Sequence, residues 1–469
     1  VVIPPASPVE DAENAGPGLT KVQRGLIIGA GALVFVLLAT ASVFFGMSVG
    51  RNNALANIPV PQPSSPTRAT PASEVQPTAI PTCSLDSLAT APALVKLYGS
   101  VVETATGNSL YSNNDTTAER PASVLKVLTA AAAISVLGPT YQITTSVVES
   151  TPGTIVLIGQ GDATLSRVAA GHSVYAGAPT LDGPAGLATK AFAAYKLLPA
   201  NTGIPITKVI LDSTYWDPTD NWDSSVPRTE QTGGFLSEST ALQVDGDRAN
   251  PAAQVSPRST DPIGAAGTAF VAALADQTGG PVASSVTISQ GAAPSSTTPL
   301  ASVQSQPVST LIKQMLAQSD NTLAEMLARI VSVKEDLGGT GSSIQQAVTT
   351  ALGKYSLDTT GLTIEDGSGE SDESLITPVF MSKFMSLVSQ KANGLQYVAA
   401  GIPVVGKYTA KAGNIASAYT LSGYTTAADG TGESFTFFAE GPGITAAAQP
   451  ALAALANAVY TCGKNITNN

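Results

Sequence analysis

The chain has 469 residues, 43% of them apolar and 12% charged, with a formal net charge of −11. That length allows two or three domains with sizeable cores, and the acidic balance argues against a nucleic-acid partner. One histidine and two cysteines exclude a typical Cys/His zinc site, and there is no Asp-x-Asp-x-Asp-Gly loop, so neither a metal nor another cofactor is expected.

Residues 1–24 read as a cytoplasmic N-terminal segment. Residues 25–50 carry no charge, with Lys21 and Arg24 before them and Arg51 after. About 20 apolar residues cross a bilayer as a helix, and the slight excess of positive charge on the leading side keeps the N-terminus inside. A single-pass transmembrane anchor at 25–50 is therefore expected, with a cleaved signal peptide as the rival reading. Residues 51–82 are rich in Pro, Ser and Thr and read as a semi-extended linker. Cys83 closes the linker and Cys462 lies near the C-terminus. An oxidising exterior and only two cysteines predict a disulfide between them.

Beyond the linker, a short helix is expected over 85–97. A hairpin follows, with strands at 100–103 and 109–111 around the turn Thr106-Gly107-Asn108. The next helix begins near Ala122 and stops at Gly138-Pro139; it is apolar almost all round, which predicts burial. From about 141 to 300, short β-branched runs alternate with turns, interrupted by helical stretches at 184–198 and 262–276. This reads as a large inserted domain, mainly strands, at 144–299. Helix returns over 307–331. Strands are expected at 408–412, 418–424 and 434–439, and a last helix at 446–460. The mixture points to an α/β (α+β) fold with an antiparallel sheet flanked by helices.

Three short patterns carry chemistry. Ser123-Val124-Leu125-Lys126 opens the apolar helix and is the only Ser-x-x-Lys in the chain. It sets a hydroxyl and an amine one helical turn apart on one face, and burial drives an amine toward its neutral, basic form. The lone histidine, His172, sits in a segment that reads as a solvated loop, so a Ser-His-Asp triad is disfavoured. The second pattern is Ser319-Asp320-Asn321, inside a helical segment or at a turn between two short helices; Ser112-Asn113-Asn114 is a competing but less suitable copy. The third is Lys411-Ala412-Gly413-Asn414 on a predicted strand, where glycine permits close approach of a ligand backbone.

In this order the three patterns resemble the signature of serine penicillin-recognising enzymes: Ser-x-x-Lys, Ser-Asp-Asn and Lys-Thr-Gly. The long stretch between the first two is similar to the D-alanyl-D-alanine carboxypeptidase/endopeptidase family of low-molecular-mass penicillin-binding proteins, peptidase family S13. Gly159-Gln160-Gly161-Asp162-Ala163-Thr164-Leu165, Gln243-Val244-Asp245-Gly246-Asp247-Arg248 and Asp366-Gly367-Ser368-Gly369 also resemble that family.

The resemblance implies a penicillin-binding-protein/serine β-lactamase-like catalytic domain at 83–143 and 300–469. It implies a D-Ala-D-Ala carboxypeptidase, with endopeptidase activity left open, acting on peptidoglycan stem peptides and sensitive to β-lactams. Ser123 would be the nucleophile, Lys126 its base and Ser319 a proton relay. Asn321, Lys411, Gly413 and Asn414 would bind substrate, with the N–H groups of Ser123 and Asn414 as the oxyanion hole. The place implied is a bacterial cell membrane, with the catalytic region outside the cytoplasm. Ala412 stands where the family has Thr. The alternatives are therefore a weak or inactive peptidoglycan-binding protein on the same fold and, behind it, a β-lactamase.

Overall fold

The computed structural model describes residues 83–467, apart from 278–281 and 296. The expected anchor at 25–50 and the linker at 51–82 lie outside the described residues.

The described chain enters through β1 (Cys83–Ser84) and α1 (Asp86–Ala89), then forms a hairpin of β2 (Lys96–Glu103) and β3 (Ser109–Asn113). A 3-10 turn, Ala122–Leu125, runs into α2 (Lys126–Val136). Next come β4 (Thr144–Thr151), β5 (Thr154–Ile158), α3 (Leu187–Leu197), β6 (Ile206–Asp212), α4 (Thr229–Gly233), α5 (Pro262–Ala275), β7 (Val282–Gln290) and β8 (Pro299–Gln304). Five helices follow: α6 (Val308–Gln318), α7 (Asn321–Lys334), α8 (Ile344–Leu352), α9 (Pro378–Ser389) and α10 (Gln396–Ala399). The chain ends with β9 (Val404–Val405), β10 (Tyr408–Ile415), β11 (Ala418–Thr426), β12 (Gly432–Glu440), α11 (Ala448–Cys462) and β13 (Ile466–Thr467).

Six strands form one antiparallel sheet in the order β3-β2-β12-β11-β10-β9. Alternation along β12 explains its two covered faces. Phe435, Phe437 and Ala439 pack with Leu452, Leu455 and Val459 of α11, while Phe438 joins the opposite cluster with α2, α7 and α9. Burying an aliphatic or aromatic side chain contributes about 1.5–3 kcal/mol, so these two apolar layers fix the sheet between its helices. As its all-round apolar sequence predicts, α2 is enclosed: Val127, Leu128 and Ala130–Ala133 have no exposed surface.

The segment 144–304 builds a second sheet, ordered β7-β6-β5-β4-β8. Its β5-β6 and β6-β7 pairs are parallel, and β4 is antiparallel to both neighbours. The mainly-strand reading of this insertion needs correction. Parallel neighbours require crossovers, and α3 and α5 supply them, packing Phe192, Tyr195, Phe270 and Leu274 onto Ile155, Leu157 and Val209. Helix therefore carries as much of this core as strand does.

One further boundary differs from expectation. Residues 85–97 divide into α1, a 3-10 turn at Pro92–Leu94 and the start of β2. The helical stretch over 307–331 is two helices, the second of the two arrangements expected there, with a turn where Ser319 takes a left-handed conformation (φ 56°) and Asp320 caps α7 by accepting from Leu323 N–H at 2.9 Å. Cys83 and Cys462 form the expected disulfide, with Cα atoms 5.5 Å apart.

Candidate active site

The turn carrying Ser123 is set by unusual backbone. Ala122 has φ 45°, a conformation that costs energy for a residue with a Cβ and persists only where the surroundings enforce it. Two glycines supply that enforcement. A Cβ on Gly413 of β10 would lie 2.6 Å from Ser123 N, and one on Gly369 (φ 81°) would lie 2.0 Å from the Ala122 carbonyl oxygen. The turn is thus pressed between a strand and a loop that only glycine allows so near.

Within this clamp Lys126 Nζ lies 2.7 Å from Ser123 Oγ. It also donates to the Ser368 carbonyl at 2.7 Å. Lys126 has no exposed surface and Ser123 is nearly buried. Burial holds the Lys126 amine below the ordinary lysine range, opposed by the carboxylates of Glu370, Asp366, Glu325 and Asp320. The geometry is that of a hydroxyl nucleophile beside an amine base.

The other predicted residues converge on the same place. Lys411 Nζ donates to Ser319 Oγ at 2.9 Å and to the Ala412 carbonyl at 2.6 Å. Burial, then repulsion from Lys126, holds Lys411 well below the ordinary lysine range. Ser123, Ser319, Lys411, Ala412, Gly413 and Asn414 line one cleft of about 480 Å³. Asn321 is not in that cleft. With Ser123, Ser319 and Asn414 it lines an adjoining one of about 350 Å³, so Ser123 stands where the two meet. Asn321 Nδ2 donates to Glu370 Oε1 at 2.7 Å, and its buried Oδ1 has no protein partner.

The competing Ser112-Asn113-Asn114 begins on β3, at the opposite edge of the sheet from β9 and separated from β10 by three strands, with Ser112 Oγ donating to Asp115. His172 is exposed in a loop. Among the described residues no cluster of three or more His, Cys, Asp or Glu side chains is placed to hold a metal ion.

Sequence reasoning placed Asp366 in a family-like segment but gave no role to the carboxylates around the base. Asp366 folds its own loop, accepting from the N–H groups of Gly369, Glu370 and Ser371 and from the hydroxyls of Ser368 and Ser374. Glu325 ties that loop to α7 by accepting from Gly367 N–H at 2.9 Å, and burial raises its carboxyl to about 8. Glu370 directly follows Asp366-Gly367-Ser368-Gly369. The one available signal was an acidic residue beside the Ser-Gly pair.

The D-Ala-D-Ala carboxypeptidase 3 (S13) family model matches residues 82–248 and 210–459. Carboxypeptidase DacB of Mycolicibacterium smegmatis is 29% identical over 480 residues, covering 95% of this chain and 99% of the relative. A carboxypeptidase of Mycobacterium tuberculosis is 30% identical over 375 residues, covering 77% and 76%. The crystal structure of penicillin-binding protein 4 (dacB) from Haemophilus influenzae superposes with a TM-score of 0.64 at 18% identity, covering 80% of this chain and 99% of that one. The same protein complexed with a novel β-lactam gives 0.58 at 18% identity, covering 78% and 96%. The likeness to these structures establishes a shared α/β fold with an antiparallel sheet and helices.

Proposed function

Since the chain belongs to the D-Ala-D-Ala carboxypeptidase 3 (S13) family, we propose that its site works through an acyl-enzyme on Ser123. The protein is a serine-type D-Ala-D-Ala carboxypeptidase that acts on peptidoglycan and is bound by β-lactams. The observation that carries the assignment of the nucleophile is the 2.7 Å approach of a fully buried Lys126 amine to Ser123 Oγ.

Neutral Lys126 takes the Ser123 hydroxyl proton as Oγ attacks the carbonyl carbon between the two D-alanines. Negative charge on the carbonyl oxygen is met by the N–H groups of Ser123 and Asn414. Collapse breaks the C–N bond, and the proton passes from Lys126 through Ser319 to the leaving amine. Lys411 attracts the terminal carboxylate of the substrate, and Asn321 donates to its backbone. Water then releases the shortened peptide. Support for these roles comes from the convergence of Ser123, Ser319, Asn321, Lys411 and Asn414 on two adjoining clefts, with Lys126 in hydrogen-bond reach of Ser123.

Residues 25–50 anchor the protein as a single membrane span, residues 51–82 act as a spacer, and the catalytic region lies on the extracytoplasmic side. The uncharged run and the Cys83–Cys462 disulfide support this placement. Protein lacking residues 1–50 should leave the membrane fraction; persistence there would refute the anchor. The catalytic reading is tested by mass spectrometry of the intact protein after penicillin treatment, with mapping of the adduct. One adduct on Ser123, absent from Ser123→Ala, is expected. An adduct elsewhere would overturn the assignment.

A further inference from the structure

The mechanism above names no base for the water that releases the acyl group, and the structure holds an unused carboxylate in the right cleft. Glu370 lines the cleft it shares with Ser123, Asn321 and Asn414. Its backbone is fixed at both ends. Its N–H donates to Asp366 Oδ2 at 2.7 Å, and two residues earlier the Ser368 carbonyl accepts from Lys126 Nζ at 2.7 Å. Between them Gly369 lies against the Ala122 carbonyl, one residue before Ser123.

The side chain is held as firmly. Oε1 accepts from Asn321 Nδ2 at 2.7 Å, and among the described residues the carboxylate makes no ion pair and no second side-chain hydrogen bond. It is half-buried, with its remaining surface in the clefts. A carboxylate kept for structure alone is usually satisfied by several donors or a cation. This one has a single neutral donor and lines the same cleft as the nucleophile.

We propose that Glu370 is the general base of deacylation, and that through it the enzyme hydrolyses β-lactams as well as peptides. The proposal rests on the acyl-enzyme reading. A water in the cleft gives a proton to the free oxygen of Glu370 as its own oxygen attacks the acyl carbonyl carbon. The carbon–Oγ bond then breaks. The proton on Glu370 returns through Lys126 to Ser123 Oγ, so that one water is added across the ester and every group regains its starting state. The same sequence applied to a ring-opened penicillin ester frees Ser123 for another turnover.

Glu370 is also set to titrate where the reaction would show it. Burial raises its carboxyl to about 7, against the pull of Lys126 and the donor Asn321 and with the push of Glu230 and Asp366. Lys411 also feels its charge, and Arg248, Arg258, Asp320 and Asp372 line the clefts it faces. The base is the ionised form, so the rate of deacylation should fall as pH drops through about 7.

The test compares full-length wild type with Glu370→Gln, which keeps an oxygen to accept from Asn321. Rapid-quench mass spectrometry follows formation and decay of the penicillin adduct, and ring-opened product is counted separately. The expected result is acylation within about threefold of wild type and adduct decay slowed about 100-fold or more. Equal decay in the two proteins overturns the proposal and leaves the acyl-enzyme intact. Slowed acylation with unchanged decay also overturns it, assigning Glu370 to Lys126 instead. Neither adduct nor product in wild type defeats the acyl-enzyme reading itself. Should Glu370→Gln fail to fold, the wild-type pH profile decides: a decay rate flat between pH 5 and 9 overturns the proposal.

Discussion

Arg248 Nη2 meets Asp320 Oδ2 at 2.7 Å, with the two side chains only 1% and 2% exposed. Tyr175 stands beside them, its hydroxyl accepting from Arg248 Nη1 at 2.7 Å and donating to Asp320 at 3.1 Å. Asp320 also caps α7, whose first residue is Asn321. The ion pair thus ties the connection between β6 and β7 to the second catalytic pattern. Breaking a buried pair by removing one partner costs about 3–5 kcal/mol. Arg248→Met should therefore lower the melting temperature and slow penicillin acylation, because Ser319 and Asn321 lose their support. Unchanged acylation would show that the pair serves stability alone.

Lys126→Met keeps the length of the side chain and removes the amine. Acylation of Ser123 should fall by at least about 10²–10⁴, while the melting temperature should hold or rise, since a desolvated amine is no longer buried. In wild type the rate should climb as pH rises through the lowered pKa of Lys126, because the neutral amine is the base. Stopped-flow acylation across pH should show that limb and its loss in the variant.

Ala412 is exposed in the Lys411 cleft. Ala412→Thr adds a hydroxyl there without entering a packed layer. One new hydrogen bond contributes about 0.5–1.5 kcal/mol, so kcat/KM for a D-Ala-D-Ala peptide should rise about 2- to 10-fold. Steady-state kinetics on a stem-peptide analogue checks this; no gain would show that the cleft places no ligand group near residue 412.

Glu433 has no exposed surface, neither carboxylate oxygen has a protein partner, and its register partner on β2 is Glu103. Burial first, then the charges of Asp429 and Glu103, raise its carboxyl to about 8. The folded state therefore holds a proton that the unfolded chain releases near 4.5. The associated stability is present below pH 4.5 and is lost progressively as pH rises toward 8. Glu433→Gln should raise the melting temperature at pH 8 relative to wild type, with the gain shrinking toward pH 5. A gain independent of pH would contradict this origin.

The sequence announced what local chemistry controls. The apolar run after Ser123 had to be buried, and burying it buried Lys126. Alternation marked β10, β11 and β12 to within a few residues. The disulfide followed from having two cysteines. What failed to show was non-local. Parallel pairing in the second sheet depends on where α3 and α5 cross, which short β-branched runs do not record. At Ser319 the pattern allowed either continuous helix or a turn, because a left-handed serine is sustained by contacts from Lys411, 92 residues on. Glu370 reaches Asn321 across 49 residues, and a single acid has no period to betray it.

The clamp around Ser123 has a consequence for timing. Its jaws are Gly369 and Gly413, and the carbonyl that receives Lys126 belongs to Ser368, all supplied more than 240 residues after the nucleophile. Until those segments arrive, Lys126 is an ordinary solvated, protonated lysine and Ser123 an ordinary alcohol. A growing chain is therefore chemically silent. Reactivity switches on only when the last strands of the sheet close over a residue made near the beginning.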